Sequence, residues 1–254
     1  MSHYLRTVFS FVFFGIGGGL LSCLLLPVVS LVTRERERAT RRCQQVLRWG
    51  LRVFFYVLAK LRLFKTAWPL VESVAPAQPC VIVCNHPCLL DTLVMMVRFR
   101  NVVCLVKQSY YDNPLIFGLA KLCGYIPAGH NGSIRGHERM LNEALDRLAR
   151  GYSILAFPEC RRSTLVGRLP FRRGPFEIAA RAGVPVAPVQ IACSPRTLAR
   201  EIPLHRMPLE CAHYSMREFP PQTIPRGRTA TKTATQTIQD LLQPVTAATS
   251  PHAG

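Results

Sequence analysis

Acidic residues are scarce in this sequence. The chain of 254 residues has 14 Asp and Glu against 32 Lys and Arg, and so a formal net charge of +18. An excess of this size predicts an anionic partner, such as nucleic acid, a membrane surface or a phosphorylated small molecule. Only 18% of the residues are charged and 49% are hydrophobic, which excludes a disordered polar chain.

Paired cysteine motifs are also missing, although the chain has ten cysteines. Cys80, Cys84 and Cys88 recur every four residues with His86 between them, but no C-x-x-C pair accompanies them. We therefore predict no metal site and no metal cofactor. Other cysteines, such as Cys104, lie in apolar runs, and a chain of this length does not need disulfides. Reduced, mostly buried thiols are expected.

Two common functional signatures are absent as well. The sequence has no G-x-S-x-G nucleophile elbow, which argues against a serine hydrolase. It also lacks an aromatic–basic nucleic-acid motif, and ten of its 32 basic residues lie between Arg34 and Lys65, beside an apolar segment. We therefore expect membrane lipids, and not nucleic acid, as the anionic partner.

One long apolar run stands out at the N-terminus. Residues 8–32 carry no charge, and a helix of that length exceeds a hydrocarbon core of about 30 Å. A cleaved signal peptide would have a shorter apolar region, so the run predicts a retained membrane anchor within residues 1–42. Pro27 leaves a kinked, hairpin or half-buried helix open as alternatives. Five arginines within 34–42 predict that the rest of the chain lies on the cytoplasmic face.

The segment 43–65 predicts a second, amphipathic helix. Arg48, Arg52 and Arg62 fall within about 80° of one another at the helical period, with Trp49 and other apolar residues between them. This pattern is typical of a helix that lies in the membrane interface. A core helix of a soluble domain is the alternative interpretation.

Short strand-like runs alternate with helical stretches from Pro79 onward. The pattern predicts strands at 80–84, 102–106, 153–157 and 186–192, and helices at 89–98, 113–123, 133–150 and 174–182. Alternation of this kind predicts an α/β fold with a mixed sheet flanked by helices. We expect the catalytic domain to span 43–220 and a polar, mobile tail to span 221–254, with a short helix at 235–242 as an alternative for part of the tail.

The first chemical motif follows the first of these strands. His86 and Asp91 are separated by four residues across a strand-to-helix turn, a spacing that lets the carboxylate hold one imidazole nitrogen. The other nitrogen can then accept a proton, so the pair predicts a general base for a substrate hydroxyl. A helix-capping role for the pair is the structural alternative.

The second motif, residues 157–163, follows the strand at 153–157. Glu159, Arg161 and Arg162 lie in this loop, and Arg172 and Arg173 follow with no acid before Glu177. Loops at the carboxyl ends of strands are the usual ligand positions in open α/β sheets, and arginine binds phosphate through two hydrogen bonds at once. We expect a phosphate site here; a solvated basic loop that attracts anionic lipid is the alternative.

Together these elements resemble the glycerolipid acyltransferases typified by 1-acylglycerol-3-phosphate acyltransferase. The resemblance covers roughly residues 45–200. The matching elements are the H-x-x-x-x-D motif as His86 to Asp91, the F-P-E-G-T-R-S motif as residues 157–163, the F-K-x-G element as residues 171–174 and the V-P-x-x-P-V element as residues 184–189, which includes Pro188. Lys107 matches a lysine that the family often carries after the second strand.

The sequence departs from the family pattern in two places. Cys160 and Arg161 replace Gly-Thr, so the loop loses a glycine that tolerates positive φ and is expected to change shape. The family's G-x-I-x-x-x-R motif keeps Gly124 and Ile126 but has His130 in place of the arginine expected on the acceptor phosphate. This second change favours an acceptor other than a phosphomonoester.

The resemblance implies a membrane-associated acyltransferase. It would move a fatty acyl group from acyl-CoA or acyl carrier protein, used as co-substrate and with no other cofactor, to a lysophospholipid-type acceptor. His86 would be the base and Asp91 would orient it. The substrate-binding residues implied are Lys107, Gly124, Glu159, Arg161, Arg162 and Pro188. Acylation of a specialised acceptor without a phosphomonoester, or lipid binding without catalysis, are the alternatives.

Overall fold

The computed structural model describes residues 3–68, 74–128, 134–163, 169–198 and 210–243. Within them seven strands form one sheet: β1 (Phe64–Thr66), β2 (Val81–Cys84), β3 (Val102–Val106), β4 (Ile126–Pro127), β5 (Ser153–Ala156), β6 (Val186–Ser194) and β7 (Ala212–Glu218). The strand order is β1-β7-β6-β2-β5-β3-β4, and every neighbouring pair is parallel except the antiparallel β6 and β7. The predicted mixed sheet is therefore confirmed.

Helices cover the sheet and extend from it. They are α1 (His3–Leu20), a π-helical turn (Leu21–Leu25), α2 (Leu26–Val32), α3 (Arg36–Lys60), α4 (Asp91–Arg98), α5 (Gln108–Tyr111), α6 (Pro114–Leu122), α7 (Ile134–Ala149), α8 (Gly174–Ala182) and α9 (Arg228–Leu242). Strands β2 and β5 are buried at every position, as expected of continuous apolar runs in the middle of a sheet. All four predicted strands and all four predicted helices of this region are present, within one or two residues at most ends.

The N-terminal segment folds onto the domain. Leu26 is fully buried, and its carbonyl lies 3.6 Å from the Cys43 thiol of α3. The Leu119 N–H of α6 donates to the Ser22 hydroxyl at 3.1 Å, where Gly118 allows a close approach because a Cβ would come within 2.5 Å of the Ser22 carbonyl oxygen. The segment His3–Val32 is nevertheless long and apolar enough to cross a membrane, and only 11% of its most apolar window is buried.

Helix α3 differs from the predicted interfacial helix. It begins at Arg36 and ends at Lys60, so the predicted boundary between residues 42 and 43 falls inside it. Leu51, Phe55 and Leu58 pack into the core of the domain, and Arg48 is also buried. The alternative interpretation as a core helix is therefore the correct one for this face. A 3.6-residue apolar period does not say whether protein or lipid covers it.

The prediction of a mobile tail is wrong for residues 221–243. The chain pairs Gln222 with Val186 and then forms α9, which contacts α8 and β6. Thr231, Thr235, Ile238 and Leu242 face the domain and are buried. Because half of this face is threonine, its apolar stripe is weak in the sequence, and only the packing shows it as a helix of 15 residues.

Candidate functional site

The candidate site lies where three neighbouring parallel strands end. His86 follows β2, Phe157 follows β5 and Lys107 follows β3, and the order of these strands in the sheet is β2-β5-β3. All three side chains line one cleft. The carboxyl edge of a parallel sheet is the usual ligand position of open α/β folds, so the topology alone brings the two sequence motifs together.

His86 and Asp91 form a hydrogen-bonded pair. The distance from His86 Nδ1 to Asp91 Oδ2 is 2.9 Å, and the same oxygen accepts the Cys88 N–H at 2.7 Å. The imidazole stacks on Phe157 with ring centroids 4.5 Å apart. With Nδ1 engaged by the carboxylate, Nε2 is the ring nitrogen left for the cleft. The arrangement therefore suits a neutral imidazole that accepts a proton from a bound hydroxyl.

Asp91 is fully buried, and its Oδ1 has no hydrogen-bond partner among the described residues. Burial raises the pKa of the Asp91 carboxyl, while the hydrogen bond and charge of His86 oppose the rise. Since the folded pKa is raised, ionised Asp91 lowers stability at neutral pH; this cost declines as the pH falls through the folded pKa and is absent below the pKa of the unfolded state. An ionised Asp91 beside His86 therefore carries a cost in stability.

We expect Asp91→Asn to lower any activity that uses His86 as a base by about 10²-fold without lowering the thermal midpoint, because an amide avoids the cost of a buried charge. Steady-state kinetics and thermal unfolding measure the two effects. Asp112→Asn, at an exposed aspartate bonded to Gln108, is the matched control. Wild-type activity in Asp91→Asn would mean that the carboxylate only caps α4.

The loop after β5 forms hydrogen bonds with the backbone of His86. Glu159 Oε1 accepts the His86 backbone N–H at 3.2 Å, and the Ser163 N–H donates to the His86 carbonyl at 2.7 Å. Glu159 is buried, which raises its pKa, and it does not line the cleft. In this structure Glu159 holds the backbone of His86, and its predicted role in substrate binding stays a prediction.

Arg161 and Arg162 both line the cleft. Arg162 Nη1 donates to the Leu198 carbonyl at 2.6 Å, whereas Arg161 is exposed at the entrance. Cys160 has φ of 57°, the left-handed conformation that a glycine adopts at low cost. The cysteine therefore adopts a conformation in which a glycine would be less strained, and the expected change of loop shape relative to the family stays a prediction.

Two predicted binding residues lie away from the cleft. Gly124 forms the buried turn between α6 and β4, with φ of 74° and Thr40 against it, so it shapes a turn. Pro188 is buried inside β6, opposite Val83. Their predicted roles in substrate binding stay predictions. His130 lies outside the described residues.

Sequence reasoning missed the part played by Asn85. Its buried amide accepts the Ile191 N–H at 2.6 Å and donates to the Ile191 carbonyl at 2.8 Å, which ties the end of β2 to β6. The residue beside His86 is thereby fixed before any substrate binds. The asparagine that precedes the histidine in the family motif was the available signal.

Helix α9 was also missed as part of the site. Gln239 Oε1 accepts the Phe171 N–H at 3.1 Å, and the amides of Gln239 and Gln243 donate to the Leu169 carbonyl at 3.3 and 2.7 Å. The Arg172 N–H in turn donates to the Pro158 carbonyl at 2.9 Å. The C-terminal helix thus holds the loop that presents Arg172 to the cleft.

The cleft is large, with a volume of about 2200 Å³. One wall is apolar and comes from the N-terminal helices and α3: Gly15, Gly17, Gly18, Gly19, Leu20, Leu21, Leu47, Leu51 and Phe54. The wall beyond His86 is basic and includes Lys107, Arg161 and Arg172. Among the described residues, no three His, Cys, Asp or Glu side chains lie close enough to hold a metal ion. The cleft therefore combines an apolar wall, the His86–Asp91 pair and a group of basic side chains.

Comparison with known proteins gives consistent matches. The family model described as Acyltransferase matches residues 70–192. A chloroplastic 1-acyl-sn-glycerol-3-phosphate acyltransferase of Brassica napus is 32% identical over 114 residues, which are 44% of this chain and 33% of that protein. The alpha enzyme of the same name from Ovis aries is 31% identical over 115 residues, 45% of this chain and 40% of its own length. The matches thus span only about a third to two fifths of these relatives.

A solved structure shares the fold. The 1-acyl-sn-glycerophosphate acyltransferase PlsC from Thermotoga maritima aligns with a TM-score of 0.72 over 95% of both chains, at 18% identity. This alignment includes the N-terminal helices and α9, which lie outside the match to the family model. The whole described architecture, and not the central domain alone, therefore has a counterpart of known structure.

Proposed function

Since the chain belongs to the glycerolipid acyltransferase family of the 1-acylglycerol-3-phosphate acyltransferase type, we propose that it transfers a fatty acyl group from a thioester to a lysophospholipid-type acceptor. The observation that carries the proposal is the His86–Asp91 pair at 2.9 Å, opening into a cleft with one apolar and one basic wall. A lipid-binding protein without catalysis would need the walls, but it would not need a buried carboxylate behind a cleft histidine.

The chemistry follows from the two ring nitrogens of His86. Nδ1–H donates to ionised Asp91, which fixes the tautomer and stabilises the imidazolium that forms. Nε2 takes the proton of the acceptor hydroxyl as its oxygen attacks the thioester carbonyl. Collapse of the tetrahedral intermediate breaks the carbon–sulfur bond, and the imidazolium returns the proton to the thiolate. No acyl-enzyme intermediate and no further cofactor are required.

The basic wall supports a phosphate-bearing acceptor close to this base. Lys107, which follows β3, and Arg161 and Arg172, which lie between β5 and α8, are cleft residues. Charge-assisted hydrogen bonds from such groups would hold a lysolipid head group with its hydroxyl near Nε2. The apolar wall would take an acyl chain, since each methylene removed from water contributes about 0.8 kcal/mol.

The N-terminal helices support association with a membrane. The segment His3–Val32 has a mean hydropathy of 2.2, and Phe9, Val12, Ile16 and Leu31 are exposed on it. An exposed apolar surface of this kind marks a membrane or protein contact. The arginines at 34–42 favour the cytoplasmic face for the catalytic domain. A lipid-embedded cleft wall would let acyl chains enter without crossing water.

Two acceptor classes are distinguished by one experiment. Because His130 replaces the family arginine, we expect lysophosphatidic acid to be used less well than by typical relatives, with Arg161 supplying part of the lost charge. Acyl transfer is measured with lysophosphatidic acid, a zwitterionic lysolipid and a neutral acceptor under one acyl-CoA. Arg161→Thr should lower use of lysophosphatidic acid by about tenfold and use of the neutral acceptor much less.

Arg139→Ala is the matched control, because Arg139 is exposed and paired with Glu143 on α7. A wild type that strongly prefers lysophosphatidic acid, with no effect of Arg161→Thr, would remove the altered-acceptor proposal and leave the default activity of the family. Absence of transfer to any of the three acceptors would contradict the proposed function itself.

A further inference from the structure

Two groups of arginines line the cleft at opposite ends of helix α8. Arg172 and Arg173 immediately precede its first residue. Arg226 and Arg228 lie at its other end, where the Arg226 Nη2 donates to the carbonyl of Arg181 at 3.1 Å. With nine residues in α8, the two groups are about 14 Å apart along its axis at about 1.5 Å per residue. We call them the near and the far arginine groups.

The near group belongs to the catalytic centre. The Arg172 N–H donates to the Pro158 carbonyl at 2.9 Å, in the loop that holds His86. Among the described residues, no hydrogen bond joins the far group to that loop. Arg226 and Arg228 lie at the start of α9, which runs antiparallel to α8. The cleft therefore carries one group of positive charges near His86 and a second group about one helix length away.

The carboxylate of Glu177, which lies on α8 between the two arginine groups, is already paired. Glu177 pairs with Arg181 at 2.6 Å and lies 3.7 Å from His137. Within the described part of the chain, no carboxylate forms an ion pair with Arg226 or Arg228. They also stand at the N-terminal end of α9, whose first turn contains no acid and whose dipole disfavours cations there. A bound anion would offset both the repulsion between these arginines and their unfavourable interaction with the helix dipole.

The geometry of the two substrates separates their phosphates. In a lysolipid acceptor the phosphate is joined to the glycerol that carries the reacting hydroxyl, so both must lie close to His86. In a thioester donor the pantetheine arm separates the sulfur from the first phosphate. A donor whose carbonyl lies at His86 would thus carry its phosphates well away from the near group.

We propose that Arg226 and Arg228 form a subsite for the phosphates at the distal end of a pantetheine thioester donor, with the arm lying along α8. The proposal rests on the proposed acyl-transfer function and adds the donor's place in the cleft. It involves a segment outside residues 70–192, the part that the family model matches.

The test compares donors with and without phosphate. The double variant Arg226→Ala/Arg228→Ala is assayed with a palmitoyl thioester of coenzyme A, of a carrier protein and of pantetheine, with the acceptor held constant. We expect the KM for the coenzyme A thioester to rise about tenfold or more, kcat to change little, and the pantetheine thioester to be used as by the wild type. Lys232→Ala, exposed on α9 and away from the cleft, is the control.

The carrier-protein thioester identifies the source of the phosphate. A similar rise in KM for both phosphate-bearing donors assigns the subsite to the phosphopantetheine phosphate that they share, and a rise only with coenzyme A assigns it to the nucleotide phosphates. An equal loss with the pantetheine thioester would overturn the proposal. Unchanged kinetics with all three donors, with reduced sedimentation on anionic vesicles, would also overturn it and assign the arginines to the lipid surface. A wild type inactive with every donor would instead contradict the acyltransferase function.

Discussion

The variant His86→Ala is expected to lower kcat for acyl transfer by about 10²–10⁴-fold, the usual contribution of a general base. The side chain is partly buried between Phe157 and the cleft, and its backbone is held by Glu159 and Ser163. Loss of the imidazole should therefore leave the loops in place, and the KM for both substrates should change little. Purified variant and wild type are compared with one donor and one acceptor, and thermal unfolding reports the fold.

His137→Ala is the matched control for this variant. His137 also lines the cleft, but it is half exposed and its nearest carboxylate is that of Glu177, 3.7 Å away. We expect it to retain activity within about threefold, since it takes no part in the proton transfer. Near-wild-type activity of His86→Ala would contradict the base mechanism, and an equal loss in both variants would indicate a general effect on the cleft.

The second large effect is expected from narrowing the apolar wall. Gly15, Gly17, Gly18 and Gly19 line the cleft, and an added Cβ at any of them would meet no atom within 4 Å, so these positions have room for a side chain. Gly18→Phe should fill part of the room for an acyl chain. If four methylenes of the longer chain lose their place in the cleft, at about 0.8 kcal/mol each, the preference for a 16-carbon over a 12-carbon chain should fall by about 200-fold.

The measurement is kcat/KM for the two thioesters, and Gly18→Ala is the control because a methyl group fits the open space. A uniform loss for both chain lengths would mean that the phenylalanine blocks the reacting centre, and an unchanged ratio would place the acyl chain elsewhere. The variant also tests the N-terminal segment as part of the cleft, a role that the sequence does not suggest.

The sequence predicted best where the relevant contacts are local. His86 and Asp91 are five positions apart across one turn, so their pairing needs only a strand followed by a helix. The strands with continuous apolar runs were predicted for the same reason, since burial on both faces leaves a signal in the run itself. Strand β7 has only short polar and apolar alternation and a charged end, and it was not predicted.

The motifs in the sequence did not show which of their residues line the cleft and which hold the surrounding backbone in place. Glu159 and Arg161 belong to the same loop after β5, but the Glu159 carboxylate accepts the His86 backbone N–H, whereas Arg161 is exposed and lines the cleft. Gly124 and Pro188 likewise serve a turn and a strand. Which residue of a motif faces a ligand depends on the backbone path of its loop, and the order of residues does not fix that path.

The sequence by itself determined that this chain is an α/β protein with a His86–Asp91 pair, a basic loop after a neighbouring strand and an apolar N-terminal helix. Each of these follows from short-range spacing or composition. Only the tertiary structure decided that α3 buries its apolar face in protein, that the glycines of α1 line the cleft, and that α9 packs onto α8 and holds the loop of Arg172. These contacts join residues far apart in the chain. The apolar face of a helix can be covered by lipid or by the rest of the protein with the same sequence period. Only the packing in the folded structure shows which of the two covers it.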